Sequence, residues 1–128
     1  MGYYDEEDYI MRIIKQIARA LFLLILGKPL PSIEQLDENE YEVSGKKLID
    51  LLGLIDNGHI SEAENIMLTG LDYANKEEIA AAALFYSCLS EKTDEFLLQN
   101  NYSKEEVLEG LKQLVQDAGY GDLMDIWE

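Results

Sequence analysis

The sequence predicts an all-α fold, antiparallel helical hairpins with a long apolar N-terminal helix ahead of them. Three observations carry that prediction. Apolar residues recur at helical rather than alternating spacing along most of the chain. Ser44, Ser61 and Ser103 precede three of these segments, in the places where a side chain can cap free helix amides. Strand-type alternation reaches no useful length anywhere. At 128 residues the chain forms one domain, able to bury roughly two-thirds of the surface exposed by its unfolded form. It divides into an N-terminal helix (1–27), an acidic linker (28–43) and a helical bundle (44–128).

The first helix is expected over Asp5 to Leu26. The acids Asp5, Glu6, Glu7 and Asp8 suit the positive end of the helix dipole, and Gly27 followed by Pro29 ends the helix. Ile10, Ile13, Ile14, Ile17, Leu21 and Leu24 form one apolar face, and Arg12, Lys15 and Arg19 form a basic stripe. Phe22, Leu23, Ile25 and Leu26 leave the last turns apolar on all sides, the pattern of a helix end that is buried all round.

The segment from Lys28 to Val43 holds both prolines and a series of acids, among them Asp37, Glu38 and Glu40, and is expected to be a mobile linker. A second helix is expected from a Ser44 cap to Asp56, with Leu48, Leu51, Leu52 and Ile55 inward. Asn57-Gly58 marks a turn. Ser61 with Glu64 reads as a capping box opening a third helix, and Ala63, Ile66, Met67, Gly70 and Leu71 face inward. A fourth helix follows Asn75 to about Ser90, its centre the small, strongly helical run Ala80 to Ala83. A short helix over Asp94 to Gln99 comes next. The last long helix opens on Ser103 with Glu106, carries Val107, Leu108, Leu111, Leu114, Val115 and Ala118 on one face, and stops at Gly119. A last turn around Leu123, Met124, Ile126 and Trp127 is expected to pack its aromatic back on the bundle.

Charge is segregated. The first thirty residues carry four acids and four bases; the remainder carries 22 acids against 6 bases and holds the whole formal charge of −16. An acidic body lacks the clustered Lys and Arg that bind nucleic acid. It also disfavours lying flat on an anionic bilayer. A single cysteine, Cys88, permits no internal bridge and points to a reducing, cytoplasmic setting. The acidic start and the seven-residue apolar run Ala20 to Leu26 fit neither a signal peptide nor a membrane-spanning helix, and Glu6 stands where a myristoylation signal has Ser or Thr.

Catalytic and cofactor patterns fail one by one. Cys88 and His59 are the only thiol and imidazole. The first lies in an apolar setting and the second in a turn, a poor basis for a nucleophile–base pair. Ser44-Gly45-Lys46-Lys47 lacks the earlier glycine of a phosphate loop, Gly119 and Gly121 lack the rest of a dinucleotide fingerprint, and no calcium-loop or zinc spacing occurs. The sequence therefore predicts no cofactor and no metal. Asp5 to Asp8 could attract a divalent cation only loosely, and Glu62 or Glu64 could act as carboxylate catalysts only in a pocket the sequence does not reveal. Tyr3, Tyr4, Tyr9, Tyr73, Tyr102 and Tyr120 fall near helix ends and linkers, where they either offer contact surface or roof a small core.

The turn with Gly58, Ile60 and Ala63, and Leu71 beyond it, resembles a tetratricopeptide repeat. Lys47 and Gly70 depart from that pattern, no proline closes the unit, and one repeat is visible where stable arrays use three or more. An ordinary helical hairpin and true repeat kinship both remain open. Asp8-Tyr9-Ile10-Met11-Arg12 with Ile13-Ile14-Lys15-Gln16-Ile17, and Asp94-Glu95-Phe96-Leu97 leading to Tyr102-Ser103-Lys104-Glu105-Glu106-Val107-Leu108-Glu109-Gly110-Leu111, resemble an uncharacterised family of small helical Firmicutes proteins, a domain of unknown function with tetratricopeptide-like hairpins. The resemblance implies an all-α cytoplasmic protein and supplies no activity.

Taken together, the residues predict a non-enzymatic interaction or scaffold module that self-associates through its first helix. Ile14, Phe22, Leu23, Ile25 and Leu26 are its expected apolar contacts and Arg12, Lys15 and Arg19 its expected charged ones. Burial of the four terminal apolar residues would contribute on the order of 6–12 kcal/mol before association costs. The expected partner is a second copy or another protein. A membrane surface met by the same amphipathic helix is the lesser alternative.

Overall fold

The computed structural model describes residues 6–36 and 41–126, with side chains at 9–36 and 41–123. Expectations for Tyr3, Tyr4, the side chains of Asp5 to Asp8, the acids Asp37, Glu38 and Glu40, and the packing of Met124, Ile126 and Trp127 lie outside those residues. The chain is all-α, with helices α1 (Glu6–Leu26), α2 (Leu48–Asp56), α3 (Ile60–Thr69), α4 (Lys76–Leu89), α5 (Asp94–Gln99) and α6 (Lys104–Asp117). Two short strands, β1 (Glu42–Val43) and β2 (Lys46–Lys47), form an antiparallel hairpin before α2. Short 3-10 segments span Ile33–Gln35 and Gly121–Ile126.

The centre of the molecule is α4. Its side chains from Ile79 to Leu89 are all buried, and α1, α2, α6 and β1 pack around it. The small volume of Ala80 to Ala83 permits that enclosure, since neighbouring helices can approach a slim rod from several directions. Asn75 fixes its start, its side-chain oxygen accepting from the amides of Glu77 and Glu78 at 3.0 and 3.2 Å.

Against α4 lies the inner stripe of α1, where Ile14, Ile17, Ala18, Leu21 and Phe22 are completely buried. Leu24, expected on that stripe, is instead 58% exposed. Leu24 follows the buried Ile17 by one heptad and so lies at the edge of the same stripe, but there it borders an open hollow beside Gly119, Tyr120, Asp122 and Leu123 rather than a packed neighbour. The expected all-round burial of the last turns also fails. Leu23 is 58% exposed, while Ile25 and Leu26 are half-buried.

The end of the expected linker belongs to the core. Tyr41 meets the Phe22 ring edge-on at 6.1 Å, and Val43 is fully buried. Ser44 does not cap α2. It and Gly45 have φ of 56° and 74°, the paired left-handed conformation of a two-residue hairpin turn. Its hydroxyl donates to the Met67 carbonyl, and its amide donates to Glu78 at 3.0 Å. The helix begins four residues later, at Leu48. A Cβ on Gly70 would stand 3.1 Å from that of Ser44, so the glycine lets the β hairpin close on the end of α3.

The α2–α3 hairpin forms as expected, with Gly58 in a left-handed turn and Ile60, Ala63 and Met67 buried. Its second helix starts two residues early, with His59 rather than Ser61 at the cap position and Ile60 as its first residue, so the pairing of Ser61 with Glu64 is not a capping box. The α5 and α6 caps are regular: Thr93 accepts from the Phe96 amide at 3.1 Å and Ser103 from the Glu106 amide at 3.2 Å.

Candidate functional site

Two surfaces stand out, and the first is the outer face of α1. Tyr9, Gln16 and Leu23 are exposed along it and Ile13 and Ala20 half-exposed. They are separated by four, three, four and three residues, the spacing of a helix–helix seam. Arg12 and Arg19 flank it one heptad apart, both exposed. Exposed Leu24 borders a hollow of about 280 Å³ formed with Gly119, Tyr120, Asp122 and Leu123.

The structure divides the expected contact residues. Ile14 and Phe22 lie in the protein's own core and have no surface to offer a partner in this fold. Lys15 is turned inward, its ammonium donating to the Ser87 hydroxyl at 3.1 Å and to the Glu91 carboxylate, so it ties α1 to the end of α4. Arg12, Arg19 and Leu23 face solvent, and Ile25 and Leu26 are partly covered.

The second surface is a groove of about 580 Å³ between α3 and α6, floored by α4. Tyr86 reaches up from α4 and donates to Glu64 Oε2 at 2.6 Å, and Tyr102 donates to Glu64 Oε1 at 2.8 Å. Both carboxylate oxygens are thus held by neutral hydroxyls. Burial, and then the Glu64 charge, raise both phenols above the ordinary tyrosine range, which keeps them protonated donors. Gly110 makes the reach possible. A Cβ there would come within 2.6 Å of the Tyr86 ring, so α6 carries a mid-helix glycine costing about 1 kcal/mol in helix propensity. Around this floor stand Glu106, Glu109, Asp117 and Tyr73, and among the described residues no Lys, Arg or His lines the groove.

The pattern Ser61-x-x-Glu64 hid this site by imitating a helix start. The available signal was Gly110, an interior glycine in an otherwise strongly periodic helix, which marks a close approach. Of the sparse catalytic candidates, Cys88 is buried and its thiol is pushed up to about 12, first by burial and second by Glu91. His59 is exposed, 3.6 Å from Glu62. Among the described residues no group of three or more His, Cys, Asp or Glu side chains could hold a metal ion. Likewise, no described helix is long and apolar enough to cross a membrane.

A family of unknown function (DUF6483) matches residues 4–119 of the sequence, and the chain belongs to that family. No curated protein and no solved structure matches it.

Proposed function

We propose that the protein is a non-enzymatic interaction module that pairs with a second copy through the outer face of α1. The observation that carries this reading is the seam of Tyr9, Ile13, Gln16, Ala20 and Leu23. Its four–three spacing is self-complementary, and Leu23 and Leu24 stand 58% exposed at its end. A polar Gln16 in mid-seam is the kind of residue that fixes register between paired helices. Charge supports the same partner. Arg12 and Arg19 flank the seam, and the chain beyond residue 30 has 22 acids against 6 bases, so each copy offers acids to the other's arginines. The hollow beside Leu24 gives a partner's leucine somewhere to insert.

The non-catalytic part of the reading is supported by the state of the reactive groups: a buried thiol with a raised pKa and phenols held protonated. The lone buried cysteine also suits a reducing compartment.

Light scattering on the full chain tests the pairing. The expected mass is about twice 14.6 kDa, falling to that of one chain when Leu23→Glu and Leu24→Glu are combined. A full chain that stays at the single mass at high micromolar concentration sinks the proposal. Flotation of that single-mass protein with anionic vesicles would give the α1 face to a bilayer instead.

A further inference from the structure

We infer that the groove between α3 and α6 binds a lysine- or arginine-bearing segment of another protein. The inference does not rest on the pairing through α1. The groove is concave, its walls combine acids with aromatic rings, and none of the described residues that line it is basic. Glu64 at its floor is held by two neutral hydroxyls rather than by a counter-cation. That arrangement fixes the carboxylate in place and leaves its charge facing the cavity. Glu106 and Glu109 stand exposed on one rim and Asp117 further along it, where it accepts from Gln113 at 2.9 Å. Tyr73, 38% exposed, adds an aromatic face at the mouth.

A guanidinium or ammonium group finds in such a place both a carboxylate acceptor and an aromatic face. The volume of about 580 Å³ holds more than one side chain, so a peptide segment fits better than a bare ion. The construction of the floor points the same way. Gly110 is required for Tyr86 to pass beneath α6, and Tyr86 is required to hold Glu64. A core built only for packing would place phenylalanine at position 86 and an apolar residue at position 64, with no buried hydroxyl to satisfy.

The test is fluorescence anisotropy with a labelled short peptide of alternating arginine and serine, at physiological salt, against an aspartate–serine peptide of equal length. The expected result is saturable binding of the basic peptide alone. Combining Glu106→Gln with Glu109→Gln should weaken it at least about tenfold, and combining Asp50→Asn with Glu95→Gln, exposed acids outside the groove, by less than about twofold. Equal weakening by the two pairs would reduce the effect to the diffuse charge of the body and overturn the inference, as would absence of saturation. Repeating the titration on the Leu23→Glu, Leu24→Glu protein separates the two surfaces. Retained binding places the site in the groove, and loss of binding places it on α1 and overturns the inference.

Discussion

Helices α1 and α4 are both rich in apolar residues, yet they occupy opposite situations. The side chains of α4 from Ile79 to Leu89 are enclosed on every side, whereas α1 buries one stripe and leaves Tyr9, Leu23 and Leu24 in solvent. Composition does not separate them, because α1 has the bulkier apolar residues. Volume does. Four consecutive alanines let α1, α2, α6 and β1 close around one axis, and a helix bearing Ile and Leu at those positions would hold the neighbours apart. The slim helix becomes the hub. The bulky one becomes a wall with an apolar outer face left over, and that remainder is where a partner is expected.

The comparison breaks most visibly within α1. Phe22→Ala removes a completely buried ring that also packs against Tyr41. It should lower unfolding free energy by about 3–5 kcal/mol, read from urea titration. Leu23→Ala, one residue on, should cost less than about 0.5 kcal/mol in a single chain, since its side chain is largely solvated. Comparable losses from the two substitutions would mean that the outer face is not an outer face.

A smaller effect tests the hub. Ala82→Leu inserts three carbons where no space exists and should destabilise by about 1–3 kcal/mol. Ala20→Leu, on the half-exposed side of α1, should change single-chain stability by less than about 0.5 kcal/mol. By enlarging the seam it should also strengthen self-association. Thermal unfolding of the two variants side by side measures the contrast, and tolerance of leucine at position 82 would show that α4's slimness does not set the architecture.

The parts of this fold that could be read from sequence are those decided within a few residues. Asn75, Thr93 and Ser103 cap their helices because the acceptor and the amides it serves lie two or three positions apart. Three of the errors share one cause, a local signal overridden by a distant partner. Ser44 has a cap's chemistry, but Met67 and Glu78 engage it and the chain turns back as a hairpin. Glu64 completes an apparent capping box, yet Tyr86 and Tyr102 claim its carboxylate from positions 22 and 38 residues away. Lys15 belongs to a basic stripe on paper and to Glu91 in the folded chain. Of the two candidate surfaces, the α1 face was legible as an amphipathic surplus. The groove was not, because its floor is assembled from three helices.

The final contrast is silent at neutral pH and concerns what α4 hides. Cys88 is buried and its folded pKa is raised to about 12 from an ordinary value of 9. A raised folded pKa means that the folded state keeps the proton more tightly than the unfolded chain does. The associated stability is therefore fully present below pH 9 and is lost progressively as pH climbs toward 12. Tyr86 and Tyr102 act in the same direction, starting near the ordinary tyrosine value of 10. Urea midpoints should accordingly hold steady through neutral pH and fall above pH 9. Cys88→Ala should remove the earliest part of that fall and leave the tyrosine part, while Tyr86→Phe should flatten the region above pH 10. A Cys88→Ala profile that coincides with the unmodified one above pH 9 would mean that the thiol ionises in the folded chain as easily as in the unfolded one, and that α4 is not sealed from water at that point.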